Sequence, residues 1–261
     1  MRFRPCIDLH QGKVKQIVGA TLSDRNGGSL QINYEARKPA EWFARLYRRD
    51  NLFGGHVIQL GPGNTSAAKA ALTAWPGAMQ IGGGVTADNA AQWLEAGAAA
   101  VIVTSWVFQN GTVDETRLKQ LVRRIGARRL VLDLSCRRRG NDYYIVTDRW
   151  QTFTQEKISN RLLDHLSRYC CEYLVHAVDV EGRCQGLEKQ LVDMLGRWNA
   201  LPITYAGGIA CEADIETLER LGRGYIDFTV GSALDIFGGQ GLRYEDLVQR
   251  FGTQPETHSG Q

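Results

Sequence analysis

Short apolar runs recur along the chain at Pro5–Leu9, His56–Leu60, Met79–Ile81, Ala100–Val103, Leu130–Leu134, Tyr173–Ala177, Ile203–Ala206 and Ile226–Val230. Each has the length and apolar content of a strand buried on both faces. Between them the apolar positions take helical spacing, as in Ala90-Ala91-x-Trp93-Leu94 and Ile215-x-x-Leu218-x-x-Leu221. Strands alternating with helices predict a parallel sheet, and eight such units predict an α/β fold closed as a (β/α)8 TIM barrel.

The pattern also repeats once. Gln80-Ile81-Gly82-Gly83-Gly84-Val85 is echoed by Tyr205-Ala206-Gly207-Gly208-Ile209, Cys6-Ile7-Asp8-Leu9 by Val131-Leu132-Asp133-Leu134, and Val103-Thr104-Ser105 by Val230-Gly231-Ser232. The three pairs keep the same order at an offset of about 125 residues, the sign of a twofold half-barrel repeat. The expected organisation is one domain over residues 1–261, with half-barrels of about 1–125 and 126–252 and a frayed tail over 253–261. Two segments fall outside the repeat: the polar, Gly-rich stretch Ile17–Tyr34 after the first strand, and Arg137–Gln155 after the fifth. The second contains Tyr143-Tyr144-Ile145-Val146 and is read as a small hairpin. Both belong at the C-terminal face of the barrel, where this fold keeps its active-site loops.

Composition narrows the function. A chain of 261 residues fits one barrel of ~250. A net charge of +3 is too small to imply a nucleic-acid partner, and the basic stretches Arg123–Arg129 and Arg137–Arg139 read as solvated faces. The six cysteines have no zinc spacing, no run reaches the length of a membrane span, and Met1–Pro5 lacks the apolar stretch of a signal peptide. The expectation is a cytoplasmic monomer with reduced thiols and no membrane partner.

The glycines end strands and precede helices. Gly82, Gly83 and Gly84 end the third strand, and Gly207 and Gly208 end the seventh. Glycine lets a backbone approach a ligand closely, and the N–H groups at a helix start attract anions. Thr104 and Ser105 after the fourth strand, and Gly231 and Ser232 after the eighth, add hydroxyls and further N–H donors. Two symmetric clusters predict two phosphate sites, so a small bisphosphorylated substrate; the competing reading is tight turns alone. Asp8 and Asp133 end the first and fifth strands on opposite sides of the mouth. Two carboxylates whose surroundings separate their pKa values can act as base and acid, although either can instead orient a loop. Asp179 and Glu181, in His176-Ala177-Val178-Asp179-Val180-Glu181-Gly182, are further acids. His10 and His176 are candidate substrate contacts, and Trp150 either stacks on a planar ring or packs against its own hairpin. No metal-ligand cluster, Walker loop or dinucleotide fingerprint is present, so the expected chemistry is proton transfer with no metal and no cofactor.

Ile7-Asp8-Leu9-x-x-Gly12-Lys13-Val14, Ile81-Gly82-Gly83-Gly84-Val85 and Ala206-Gly207-Gly208-Ile209 resemble the isomerase family of histidine biosynthesis acting on phosphoribosylformimino-5-aminoimidazole carboxamide ribotide. Leu174–Gly186 and Val230–Gly239 look like its fungal and plant branch, and the resemblance spans nearly the whole chain. It implies an Amadori rearrangement of an aminoaldose to an aminoketose, on a substrate with a phosphate at each end. It also implies Asp8 as general base, Asp133 as proton donor and Trp150 stacked on the imidazole; Lys13, within the first of these motifs, is a further candidate substrate contact. Two positions depart from the family pattern. An Asp-Gly-Thr element on the sixth loop reads Glu181-Gly182-Arg183 in a loop one residue shorter, which leaves Asp133, Asp179 and Glu181 in competition as the acid. Thr86 follows Val85 where many bacterial members carry arginine. The alternatives are the sister cyclase, whose first-strand lysine and Asp-Arg-Asp-Gly element are not clear here, and a non-catalytic phosphosugar-binding barrel.

Overall fold

The computed structural model describes residues 1–21 and 30–252. Residues 22–29 of the first long loop, and the tail expected to fray, lie outside the described residues. Eight parallel strands form the wall: β1 (Cys6–His10), β2 (His56–Gln59), β3 (Gln80–Gly82), β4 (Ala100–Val103), β5 (Leu130–Asp133), β6 (Glu172–His176), β7 (Ile203–Ala206) and β8 (Ile226–Phe228). They neighbour one another in sequence order. The ring closes where Phe3 bridges Phe228 in parallel, with Arg4 N donating to Phe228 O at 2.8 Å and Phe228 N to Arg2 O at 3.0 Å.

A helix follows each strand: α1 (Ala40–Arg49), α2 (Thr65–Ala74), α3 (Ala90–Glu95), α4 (Glu115–Ile125), α5 (Asn160–Leu166), α6 (Lys189–Trp198), α7 (Glu212–Leu221) and α8 (Tyr244–Phe251). Their apolar stripes face the wall. In α4, Leu118 and Leu121 are buried while Arg123 and Arg124 face away from the core, and Asp114 caps the helix by accepting from Arg117 N at 3.0 Å.

Alternation along the strands decides what fills the barrel, because every second residue points inward. Along β6 these are Glu172, Leu174 and His176, from floor to mouth. The floor is polar: Arg4 donates to Asp227 at 2.7 Å and reaches Glu172 at 3.3 Å, and Glu172 also accepts from Gln80 and Thr204, each at 2.9 Å. Removing one partner from such a buried ion group typically costs roughly 3–5 kcal/mol. Above the floor lies an apolar plug of Ala100, Ile102, Val131, Leu174 and Ala206. The inward residues one step higher, Asp8, Thr104, Asp133 and His176, therefore form the base of the mouth.

The long loops are more ordered than the sequence indicated. Within the stretch read as a polar loop, Ile32–Glu35 pairs antiparallel with Lys13–Ile17, which itself pairs with β1. After β5, the expected hairpin is a three-stranded antiparallel sheet of Cys136–Arg139, Asp142–Thr147 and Thr152–Lys157.

Candidate active site

Two cavities open at the C-terminal mouth. A broad one of about 730 Å³ lies over β2–β5 and is lined by Gly83, Gly84, Thr86, Thr104, Ser105, Arg117, Asp133, Arg149 and Trp150, among others. A tight one of about 30 Å³ lies over β1 and β6–β8, lined by Asp8, Gln16, His56, His176, Glu181, Gly207, Gly208, Gly231 and Ser232, among others. The two glycine clusters thus reach opposite sides of one mouth.

Asp8 accepts a hydrogen bond from Gln16 Nε2 at 3.1 Å. Gln16 is buried in the Lys13–Ile17 strand, and a side chain on Gly231 would collide with its amide oxygen. Burial raises the Asp8 carboxyl above its usual range, opposed by the positive His176. Glu181 is raised further, to about 7, by burial and by Asp8, again against His176. Its carboxyl has no side-chain hydrogen bond among the described residues.

His176 lies between the acids. Its Nδ1 is 3.4 Å from Asp133 Oδ1, and its ring is 5.8 Å from Trp150 and edge-on to His56 at 6.3 Å. Burial works against the charged imidazole, but Asp133, then Glu181 and Asp8, outweigh it and carry the pKa up to about 9. His56, also buried but facing the positive His176, is pushed down to about 3 and stays neutral. Asp133 also accepts from Thr104 Oγ1 at 3.0 Å and Ser135 Oγ at 2.8 Å, and Ser135 in turn accepts from Trp150 Nε1 at 2.9 Å. One hydrogen-bonded chain therefore runs from the tryptophan over the mouth, through Ser135 and Asp133, to His176.

Trp150 packs on Ile17 and Leu60. It ends a run of three non-glycine residues, Asp148, Arg149 and Trp150, with φ of 52°, 56° and 66°. Left-handed backbone costs roughly 1–2 kcal/mol per such residue. Asp148 N anchors the run by donating to Ser105 Oγ at 3.1 Å. Ser232 Oγ is held in the matching way by Asn33 of the first loop, at 2.9 Å.

The glycines answer more than one demand. A Cβ on Gly83 would lie 2.2 Å from Gln59 O, and one on Gly208 2.0 Å from Gly186 O, so packing alone requires glycine at both. Gly84 is different: a side chain there meets open space.

Other sequence candidates lie apart from the cavities. Asp179 accepts from Arg137 Nε and Arg138 N, each at 2.8 Å, and so ties the three-stranded sheet to the loop after β6. Lys13 is exposed and pairs with Glu35. Gly82 lies within β3 against Ile58 and Ile102. His10 lines neither cavity; its buried Nδ1 has no partner among the described residues, and burial with the charges of Lys15 and Arg149 lowers its pKa. The cavity residues that escaped the sequence reading include Gln16, Arg117, Arg149, His56 and Thr229, whose buried hydroxyl has no partner among the described residues. His56 and Thr229 share the inward parity of their strands, which is a usable signal; Gln16 and Arg149 sit in loop insertions and carry none. No group of three or more His, Cys, Asp or Glu that could hold a metal occurs among the described residues, nor a helix long and apolar enough to cross a membrane.

A parallel barrel with glycine clusters at opposite sides of its mouth, and carboxylates flanking a buried histidine between them, has the architecture of a sugar-phosphate enzyme that moves protons. The chain belongs to the family described as histidine biosynthesis protein, which it matches over residues 2–239. It is 50% identical over 253 residues to a protein of Medicago truncatula, named 1-(5-phosphoribosyl)-5-((5-phosphoribosylamino)methylideneamino)imidazole-4-carboxamide isomerase and described as chloroplastic, covering 95% of this chain and 81% of that one. Proteins of the same isomerase name from Neurospora crassa and Saccharomyces cerevisiae are 47% and 41% identical, each over 95% of this chain and 97% of their own.

Proposed function

We propose that this protein isomerises the bisphosphorylated aminoaldose named for its relatives to the corresponding aminoketose, by acid–base catalysis within one chain. The observation that carries the reading is the tight cavity. In it a half-buried carboxylate, Asp8, shares one pocket with His176, raised to about 9 and so protonated at neutral pH, and with Glu181, raised to about 7. An Amadori rearrangement needs that pairing. A proton goes to the ring oxygen as the furanose opens, and a base then removes the proton on C2. The resulting enolamine takes a proton at C1 and becomes the ketose.

Asp8 is the base. It ends a rigid strand, and Gln16 fixes one of its oxygens. The acid belongs to the cluster of Asp133, His176 and Glu181 on the facing side. Gly83, Gly84, Thr104 and Ser105 bind one phosphate, with the cations of Arg117 and Arg149 lining the same cavity. Gly207, Gly208, Gly231 and Ser232 bind the other. Trp150 covers the planar imidazole of the substrate. We take the protein to act as a monomer in a reducing compartment such as the cytoplasm, a setting that suits its six free thiols.

The test is turnover of the purified protein on the aminoaldose without ammonia. Formation of the ketose supports the reading. A requirement for ammonia points to the sister cyclase, and tight binding without turnover to a phosphosugar-binding barrel.

A further inference from the structure

Asp133 is placed and bonded unlike a proton donor for a sugar held against Asp8. It lines the broad cavity, whereas Asp8 lines the tight one, and His176 stands between them. Its oxygens are already in use. Ser135 accepts from the Trp150 indole, so its own hydroxyl hydrogen is free to point at Asp133; Thr104 and His176 approach the remaining positions. Asp133 acts here as an acceptor for three donors. Glu181 shares the tight cavity, but no side-chain hydrogen bond orients it.

His176 has what both lack. It ends a barrel strand, it lines the cavity that contains Asp8, and a fixed carboxylate grips its Nδ1. Its Nε2 has no hydrogen-bond partner among the described residues. An imidazole held by a carboxylate on one nitrogen, with the other left to serve substrate, is the general geometry of an oriented acid–base group.

Resting on the isomerase reading above, we infer that His176 is the general acid of the rearrangement and that Asp133 is a positioning residue acting through it. The imidazolium gives its Nε2 proton to the furanose oxygen as the bond from that oxygen to C1 breaks. The lone pair of the substituent nitrogen forms the C1–N double bond. Asp8 then takes the proton from C2; the freed pair forms the C1–C2 double bond, and the C1–N pair returns to nitrogen. In the last step the C2 hydroxyl gives its proton to the now neutral His176 as the ketone forms, and C1 takes the proton held by Asp8. Both groups end as they began, and no co-reactant is needed.

The groups facing the ring are Asp133 of β5, Asp8 of β1, His56 of β2 and Glu181 beyond β6, with Trp150 of the loop after β5. Burial disfavours the charged ring, but Asp133, then Glu181 and Asp8, outweigh it, so the imidazole is protonated at neutral pH and loses its proton as pH rises through about 9. The kcat/KM profile therefore falls on the alkaline side near that value.

The experiment compares the wild type with His176→Asn, Asp133→Asn and Glu181→Gln on the bisphosphorylated aminoaldose across pH. His176→Asn keeps an amide donor for Asp133 but has no transferable proton. It is expected to lose turnover by ~10²–10⁴-fold, with KM little changed and the alkaline fall gone from the residual activity. Asp133→Asn retains more activity than His176→Asn, and its alkaline fall moves to lower pH because the carboxylate that raises His176 is gone. Glu181→Gln costs less than His176→Asn. Near wild-type turnover in His176→Asn, an unmoved alkaline fall in Asp133→Asn, or a larger loss in Glu181→Gln each overturns the assignment. Should His176→Asn not fold, nitrogen-15 NMR of the histidine rings in the wild type decides: a cationic His176 at neutral pH supports it, and a neutral ring overturns it. An inactive wild type overturns the isomerase reading itself, whereas an active wild type with an active His176→Asn overturns this inference alone.

Discussion

The two halves of the mouth share a backbone plan and differ in what they hold. On one side Gly83 and Gly84 follow β3, with Thr104 and Ser105 after β4; on the other Gly207 and Gly208 follow β7, with Gly231 and Ser232 after β8. Each half has a serine gripped by a neighbouring long loop, Ser105 by Asp148 and Ser232 by Asn33. Yet the first half is a cavity of about 730 Å³ with Arg117 and Arg149 in its wall, and the second a pocket of about 30 Å³ with Asp8, Glu181 and His176. A repeated backbone supplies two glycine-lined rims, the proposed anion sites, and on that reading side chains within the rims divide the work. The cationic half suits holding an anionic arm. The acidic half, where burial raises two carboxyl pKa values and His176 is charged, suits moving protons.

That division can be broken most sharply at Asp8. Asp8→Asn keeps size and shape but cannot accept a proton at neutral pH. Turnover should fall ~10²–10⁴-fold with affinity changed far less, and exchange of the C2 hydrogen with solvent should stop. Turnover and exchange are measured together on folded protein; a near wild-type rate would move the base elsewhere and dissolve the contrast between the halves.

The broad half should respond the other way round. A hydrogen bond to a charged group is typically worth about 1.5–3 kcal/mol, so Arg149→Gln should raise KM roughly tenfold or more while kcat falls less. A steady-state assay separates the two parameters. A loss confined to kcat would place Arg149 with the chemistry rather than with binding.

Trp150 joins the halves and should give a smaller effect. Ring stacking contributes about 1 kcal/mol, so Trp150→Ala should raise KM about fivefold. Its packing on Ile17 and Leu60 and its bond to Ser135 imply that the melting temperature drops as well. Lower stability with unchanged KM would leave the residue as part of its loop only.

The smallest expected effect is none. Exhaustive chelation should leave turnover intact in both halves of the pH profile, because proton transfer among these groups calls on no metal. Activity that returned only on adding a divalent ion would count against the scheme.

The barrel was legible because parallel strands covered on both faces write themselves as short apolar runs, and because helical spacing filled the intervals. The edges were less so. The run Ile226–Val230 suggested a strand two residues longer than β8, since Thr229 and Val230 are buried without pairing as strand. Ile32–Glu35 was invisible as a strand because it is mostly exposed and shows no inward alternation. The candidate bases and acids announced themselves as carboxylates ending apolar runs. Asp179 fitted that description too, but the Arg137 side chain and Arg138 backbone, brought back by the three-stranded sheet, occupy its carboxylate.

Sequence alone therefore determined the strands, their twofold repeat, the glycine rims and the parity that turns Asp8, Asp133 and His176 inward. All of these follow from local chemistry and from periodicities of two and 3.6 residues. Tertiary structure decided which groups meet. Leu174 lies opposite Asp133 in the β5–β6 register, which brings His176 to Asp133 across strands 43 residues apart in the chain. The first-loop strand carries Gln16 to Asp8, where Gly231 leaves room for its amide. Proton affinities then follow from desolvation and from charges a few ångströms away through space. Those distances exist only once the barrel has closed.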